Sequence, residues 1–355
     1  MRGERGGAVP NRGTVTLSIM LANIMQGLDT TIANVALPHI RGSLSASLDQ
    51  ISWVLTSYIV AAAITMPLTG WLAGRFGIKQ VFILSVGGFT AASALCGSAT
   101  TLTELVIYRT LQGIFGAGLI PLSQATLLQI NPPERHGQAM AVFGIGTILG
   151  PICGPVLGGW LTYDYNWRWV FYINLPVGVI AGVGALIFMR ETRHAHREPF
   201  DFMGFATFSL AIGALQMLLD RGELKDWFGS TEIWVEATIS GVALYLFIVH
   251  TATATDRSFL NRDLLKNLNF TAGTVLMFMV GLIMNGTLAL LPTMLQDLMN
   301  YPVLTTGLVT APRGIGSMIA MFAVARLINR IDNRLIILFG LLLTAVSMWQ
   351  MTRFS

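Results

Sequence analysis

The chain has 355 residues, of which 53% are hydrophobic and only 11% charged, with a mean hydropathy of +0.64. A soluble domain of this length carries about 25% charged residues, and here the charge is missing from whole segments, so the composition excludes a soluble globular protein and defines a polytopic membrane protein. The net charge of +4 does not point to nucleic acid, because the basic residues fall in short loops between apolar runs. The two cysteines lie inside such runs and supply neither a disulfide framework nor a metal-ligand set.

A spanning helix needs about 20 mostly apolar residues. Eleven such runs are predicted, at 14–37, 52–72, 80–98, 104–128, 138–160, 170–189, 202–219, 233–251, 268–291, 304–327 and 335–352. The first is too long for a secretory signal peptide and has no A-x-A-like cleavage site. It contains LDTTIANVALP, Leu28 to Pro38, which places Asp29 in hydrocarbon. A carboxylate there costs several kcal/mol unless something offsets it, and an intramembrane acid is by default a functional candidate. Gln26 lies three residues before Asp29, so the two share a face that is expected to line a polar cavity. Asn34 lies off that face.

Between the second and third runs stands GWLAGRFGIK, in which Gly70 and Gly77 permit a tight turn while Arg75 and Lys79 hold it at the interface. The fourth run opens after Glu104 and carries RTLQGIFGAG. Arg109 either snorkels to the surface or turns inward with Gln112, three residues on and beside Gly113 and Gly116. If Asp29 is its partner, the pair makes a proton site whose affinity depends on their separation. Gln124, later in this run, joins Gln26, Asn34 and Gln112 as a candidate for the cavity or the substrate.

The fifth run holds GTILGPICGPVLGG. Gly146, Gly150, Gly154 and Gly158 form an i, i+4 stripe, with Gly159 beside the last, and the stripe is a groove for a partner helix. Pro151 and Pro155 each remove a backbone hydrogen bond and are expected to bend the helix. A bent helix with a smooth face is suited to rocking against a neighbour. The histidines His39, His136, His194, His196 and His250 fall near loops or helix ends and read as solvated.

With the N-terminus in the cytoplasm, one side holds Arg2, Arg5, Arg12, Arg75, Lys79, Arg135 and most of the later basic residues. The other side holds Arg41, Arg168, Arg221, Lys225 and Arg353. The positive-inside rule supports that orientation. A faint internal repeat links Leu37-Pro38 to Leu291-Pro292, and LAGRFGIK at Leu72–Lys79 to LINRIDNR at Leu327–Arg334. Two like-oriented halves are a transporter pattern.

Together these motifs resemble the major facilitator superfamily, and within it the 14-helix drug:proton antiporters of the EmrB type. LDTTIANVALP and the three motifs above carry the likeness, with WRWVFYINLP at Trp167–Pro176 and LDRGELKDWF at Leu219–Phe228. The resemblance implies an all-α membrane fold with about 11 of 14 expected helices present. Its parts are a cytoplasmic N-terminus at 1–13, a six-helix bundle at 14–189, a region with two extra helices at 190–267, and a partial second bundle at 268–355. It further implies proton-driven export of lipophilic toxic compounds across the cell inner membrane, with no cofactor beyond the proton gradient. Asp29 and Arg109 would be the coupling pair, and the fifth-run glycines and prolines the antiporter motif. In Gram-negative relatives it implies a periplasmic membrane-fusion adaptor and an outer-membrane channel as partners. The chain departs from the family in having Gly74 where the loop motif usually has an acid and Ile78 where it often has a base. The other readings are a metabolite facilitator or symporter and an inactive antiporter fragment.

Overall fold

The computed structural model describes residues 11–191, 199–253, 264, 266–301, 303–328 and 330–352. Arg2, Arg5, Arg193, His194, His196, Arg197, Arg257, Arg262 and Arg353 lie outside the described residues. The helices are α1 (Arg12–Ser43), α2 (Leu48–Thr65), α3 (Leu68–Phe76), α4 (Ile78–Ser98), α5 (Leu102–Gly116), α6 (Leu119–Ile130), α7 (His136–Asp164), α8 (Trp169–Tyr172), α9 (Asn174–Phe188), α10 (Phe202–Arg221), α11 (Thr231–Thr253), α12 (Leu268–Thr293), α13 (Val303–Leu327) and α14 (Asn333–Met351). Each of the eleven predicted runs coincides with one helix or with a consecutive pair. Among the described residues, eight segments are long and apolar enough to cross a membrane by length and composition, and a ninth is the α2–α3 pair, bent by 53°. Pro67 sits at that break as the N-cap of α3.

Local chemistry sets the helix starts. Ser47 with Gln50 begins α2, and Thr101 with Glu104 begins α5, each pair exchanging the two hydrogen bonds of a capping box. Two ends differ from expectation. The first run does not stop at Leu37-Pro38, because α1 continues through Pro38 to Ser43. Proline removes one exposed backbone bond there, while Ala36 and Ile40 remain fully buried and hold the helix in place. Likewise α12 passes Pro292 and leads into a π-helical turn at Met294–Leu298.

The centre of the fold is α1, which packs most extensively on α7 and then on α9. One apolar core, at the half holding the N-terminus, joins Val15, Ile19, Ala22 and Met25 to Phe82, Val86 and Phe89. A second joins Ile32, Ala36 and Ile40 to Val54, Leu105, Val170 and Phe171. Asp29 lies between them along α1.

The α1–α7 seam is made by the glycine stripe. A Cβ on Gly150 would lie 2.6 Å from the Cα of Gly27, one on Gly158 2.7 Å from Cγ1 of Ile32, and Gly154 faces Thr31. Thr31 Oγ1 also donates across the seam to the Gly150 carbonyl, at 3.4 Å. The helix α7 stays continuous over both Pro151 and Pro155. Its other side meets α13, where Gly144 faces Met321 and Ile152 faces Gly314.

The helices α10 and α11 form a hairpin tied by Ser240 Oγ donating to the Ala211 carbonyl at 3.0 Å. It docks on α2 through a hydrogen bond from Thr56 to Asp220 and through the Arg221 guanidinium, 5.3 Å from the Trp53 ring. Arg221 and Lys225 both pair with Glu232. At the other end, Asp201 caps α10 and its carboxylate meets His250 Nε2 at 2.9 Å. The reading of His250 as merely solvated is thereby corrected, because it is only about a quarter exposed and holds the hairpin closed.

The motif contains its own control for the seam. Gly150→Ala should force α1 and α7 apart, at about 1–3 kcal/mol of overpacking, and lower the unfolding temperature in detergent. Gly159→Ala, where a Cβ meets nothing within 4 Å, should leave it unchanged.

Candidate functional site

The polar residues singled out in the sequence divide into a buried set and an exposed set. The capping box at Thr101–Glu104 fixes the start of α5, which sets Arg109 and Gln112 on the face turned toward α1 and α2. Gly113 permits the close approach of α2, since a Cβ there would lie 3.1 Å from the Tyr58 carbonyl carbon. With α2 that close, the Tyr58 ring covers the Arg109 guanidinium at 4.5 Å, and Phe171 approaches it at 5.7 Å.

Asp29 projects from α1 into this enclosure and is 0% exposed, as is Gln112, while Arg109 is 1% exposed. Arg109 Nη1 donates to Asp29 Oδ2 at 2.7 Å and to Gln112 Oε1 at 2.8 Å, and Arg109 Nε donates to the Val54 carbonyl at 3.1 Å. Asp29 Oδ1 accepts from Gln112 Nε2 at 2.8 Å and from Asn174 Nδ2 at 2.9 Å. Asn174 Nδ2 also donates to Ser93 Oγ at 3.0 Å, and Ser93 Oγ donates to the Phe171 carbonyl at 2.8 Å. The thiol of Cys96 closes the cluster, with Sγ 3.6 Å from Gln112 Oε1.

One carboxylate and one guanidinium leave the cluster formally neutral. Removing two ions from water costs several kcal/mol each, and attraction offsets this only if the remaining donors and acceptors are satisfied. Here α1, α4, α5 and α9 all contribute side chains to that satisfaction. Of the two readings of Arg109, the inward one holds and the snorkelling one does not. The Gln26–Asp29 face, expected to line a polar cavity, is closed to solvent. That face is packed, with Gln26 only 7% exposed, because α2, α5 and α9 close over it. Asn34 and Gln124 are exposed and stand outside the cluster, Asn34 donating to its own helix at the Thr30 carbonyl.

Sequence reading missed Asn174, Ser93 and Tyr58 as members. Asn174 was findable by the rule that selected Gln112, an amide inside an apolar run. Ser93 gave no signal, because a serine within a helix commonly bonds its own backbone.

At the loop motif, Gly70 and Arg75 are exposed, and the Arg75 guanidinium lies 5.3 Å from the Trp71 ring and 5.9 Å from that of Phe76. Gly77 has φ +94°, a conformation that favours glycine, and a Cβ there would lie 2.6 Å from Cδ of Glu191. The Glu191 carboxylate thus sits at the start of α4, and Lys79 Nζ donates to the Leu186 carbonyl near the end of α9, at 2.8 Å. An acid at one helix N-terminus and a base at a neighbouring C-terminus both oppose the helix dipoles favourably. This chain lacks the acid at Gly74 but brings one in from beyond α9.

A helical membrane bundle with a sealed acid–base cluster at its centre and a glycine seam beside it has the architecture of a secondary transporter. The Major Facilitator Superfamily profile matches residues 19–355, and the chain belongs to that superfamily. It is 40% identical over 334 residues to the multidrug export protein EmrB of Escherichia coli K12, covering 94% of this chain and 65% of that protein. It is also 40% identical over 344 residues to the fatty acid resistance protein FarB of Neisseria gonorrhoeae, covering 96% and 67%. These relatives place it on the EmrB-type branch, and the chain spans about two thirds of their length. Its fold is similar to that of the human organic anion transporter MFSD10 (TM-score 0.55, 16% identity, 91% of this chain and 74% of that one). It is likewise similar to the proton:xylose symporter XylE (TM-score 0.54, 15% identity, 89% and 69%).

The cluster makes a stability prediction. Arg109→Ala leaves Asp29 as an unpaired buried charge and should destabilise the protein by about 3–5 kcal/mol. Adding Asp29→Asn should restore much of this loss, because the uncompensated charge is gone. Unfolding midpoints of the single and double variants in detergent check both statements.

Proposed function

We propose that this protein exports drug-like, lipophilic compounds across the inner membrane in exchange for protons, with its N-terminus in the cytoplasm. The observation that carries this reading is the enclosure of Asp29 by Arg109, Gln112 and Asn174. Asp29 is the proton carrier and Arg109 the cation that tunes it. In the paired arrangement the carboxylate accepts hydrogen bonds from three donors, on Arg109, Gln112 and Asn174. Protonation removes its charge, weakens the hold of Arg109 and releases the amides that α5 and α9 commit to it. A carrier whose two conformations bind the proton with different affinity is driven by a proton gradient, and an exported compound follows by linkage.

The mechanical half of the reading rests on α7. The helix carrying Asp29 lies against the Gly146–Gly158 stripe, and the opposite side of α7 meets α13. A displacement of α1 on protonation therefore reaches the second half of the chain through one helix. The name of EmrB, a multidrug export protein, supports drug-like substrates, and that of FarB, a fatty acid resistance protein, supports lipophilic ones. The resemblance to their family extends the proposal to a periplasmic adaptor and an outer-membrane channel, to which co-purification is the direct test.

Everted vesicles carrying the protein should lose an imposed pH gradient when a lipophilic substrate is added. Asp29→Asn should abolish that response while the variant reaches the membrane in normal amount. An undiminished response from Asp29→Asn would remove Asp29 from the coupling step, and no response from any form would favour the facilitator or inactive-fragment reading.

A further inference from the structure

Around the ion pair nearly every buried polar atom is satisfied, but beside it three are not. Asn23 Oδ1, Gln26 Oε1 and Tyr58 Oη are buried and have no hydrogen-bond partner among the described residues. The parent side chains are 3%, 7% and 5% exposed. They form one group. The Gln26 side chain reaches the Tyr58 hydroxyl, and the Tyr58 ring covers Arg109. Asn23 lies three residues before Gln26, a neighbour on the α1 surface. The Asn23 amide nitrogen is engaged by the Ile19 carbonyl at 2.8 Å, which leaves its oxygen free to accept.

A buried acceptor or hydroxyl without a partner costs about 1–3 kcal/mol, and native interiors meet that demand with ordered water when protein groups do not. The chemistry of the three atoms selects the occupant. Two amide oxygens need a donor, and a phenol can both give and receive. A metal cation is disfavoured by the adjacent Arg109 guanidinium, and an anion by the two carbonyl oxygens. A bulky organic compound is excluded by the burial of all three side chains. We propose that Asn23, Gln26 and Tyr58 form an internal water-binding site against the Asp29–Arg109 cluster.

This site has a consequence that rests on the reading of Asp29 as the proton carrier. Asp29 is sealed by protein, and a proton cannot leave it without a relay. Water held at Gln26 and Asn23 leads from the cluster toward the N-terminal end of α1. A proton taken up by one such water is matched by one released from the next, and the side chains keep their own protons.

Hydroxyl-radical labelling by X-ray radiolysis of the full chain in detergent, read by mass spectrometry, tests the site, because bound water generates the radical in place. Tyr58 should be labelled despite its burial, and fully buried Phe82, in the apolar core, should not. Gln26→Leu and, as an independent variant, Asn23→Leu should each lose the Tyr58 label. An unlabelled Tyr58 in the unaltered protein, or full label in both variants, overturns the water site. Substrate-induced proton release from the same samples tests the relay separately. Slower release in Gln26→Leu at unchanged extent supports it. Unchanged rates with a lost label overturn the relay and leave the site. Proton release that survives Asp29→Asn removes the Asp29 reading, whatever the label shows.

Discussion

The bond between Asp29 and Arg109 is the constraint on which the centre of this structure depends. Neither residue is tolerable there alone. A lone carboxylate or guanidinium in the bundle interior is disfavoured by its lost hydration, and each is offset by the other only when the remaining polar atoms are also met. Four helices are drawn into that requirement. The helix α5 supplies Arg109 and Gln112, α9 supplies Asn174, α4 supplies Ser93, and α2 supplies the Val54 carbonyl and the Tyr58 ring. The apolar cores above and below hold the helices together by burial, but such packing does not choose one register strongly. The polar cluster does, because a slip of any one helix strands a charge or an amide.

The glycine seam is the complementary constraint. Membrane helices gain little by hiding apolar surface from lipid, so close approach has to come from small side chains. Gly27 of α1 and Gly150 of α7 meet almost backbone to backbone. A surface without protruding side chains resists sliding less than an interlocked one. The acid-bearing helix is therefore held on one side by the polar cluster and on the other by the close glycine seam.

Much of this was legible in the sequence, for identifiable reasons. Segment positions followed from runs of apolar residues of bilayer length, which is the most direct signal a membrane protein offers. The partnership of Asp29 and Arg109 followed from cost, since two opposite charges in hydrocarbon have few ways to be satisfied except by one another. The stripe in α7 followed from spacing. What was missed depended on tertiary contact. The apolar run ends at Leu37, before Pro38, but burial of Ala36 and Ile40 carries the helix on to Ser43. Gln26 shares a face with Asp29, but the sequence does not say that other helices cover that face. Ser93 and Tyr58 are ordinary residues in apolar runs until the fold brings Asn174 to the first and Arg109 to the second. Glu191 cannot be connected to the loop motif from spacing alone, since 114 positions separate it from Gly77.

The composition of the cluster bears on how it could switch. A simple ion pair would lose its attraction on protonation and leave one buried cation, a state too unfavourable to be visited often. Here Arg109 keeps two oxygen acceptors after Asp29 is neutralised, Gln112 Oε1 and the Val54 carbonyl, and keeps the faces of Tyr58 and Phe171. Those contacts reduce the penalty of the protonated state without removing it. Asp29 loses more, because Gln112 and Asn174 donate to the carboxylate more strongly than to the neutral acid. Protonation therefore loosens α1 from α5 and α9 while Arg109 stays held between α5 and α2. In the role proposed for Asp29, one proton would thus change which helices are joined while Arg109 keeps its two neutral oxygen acceptors.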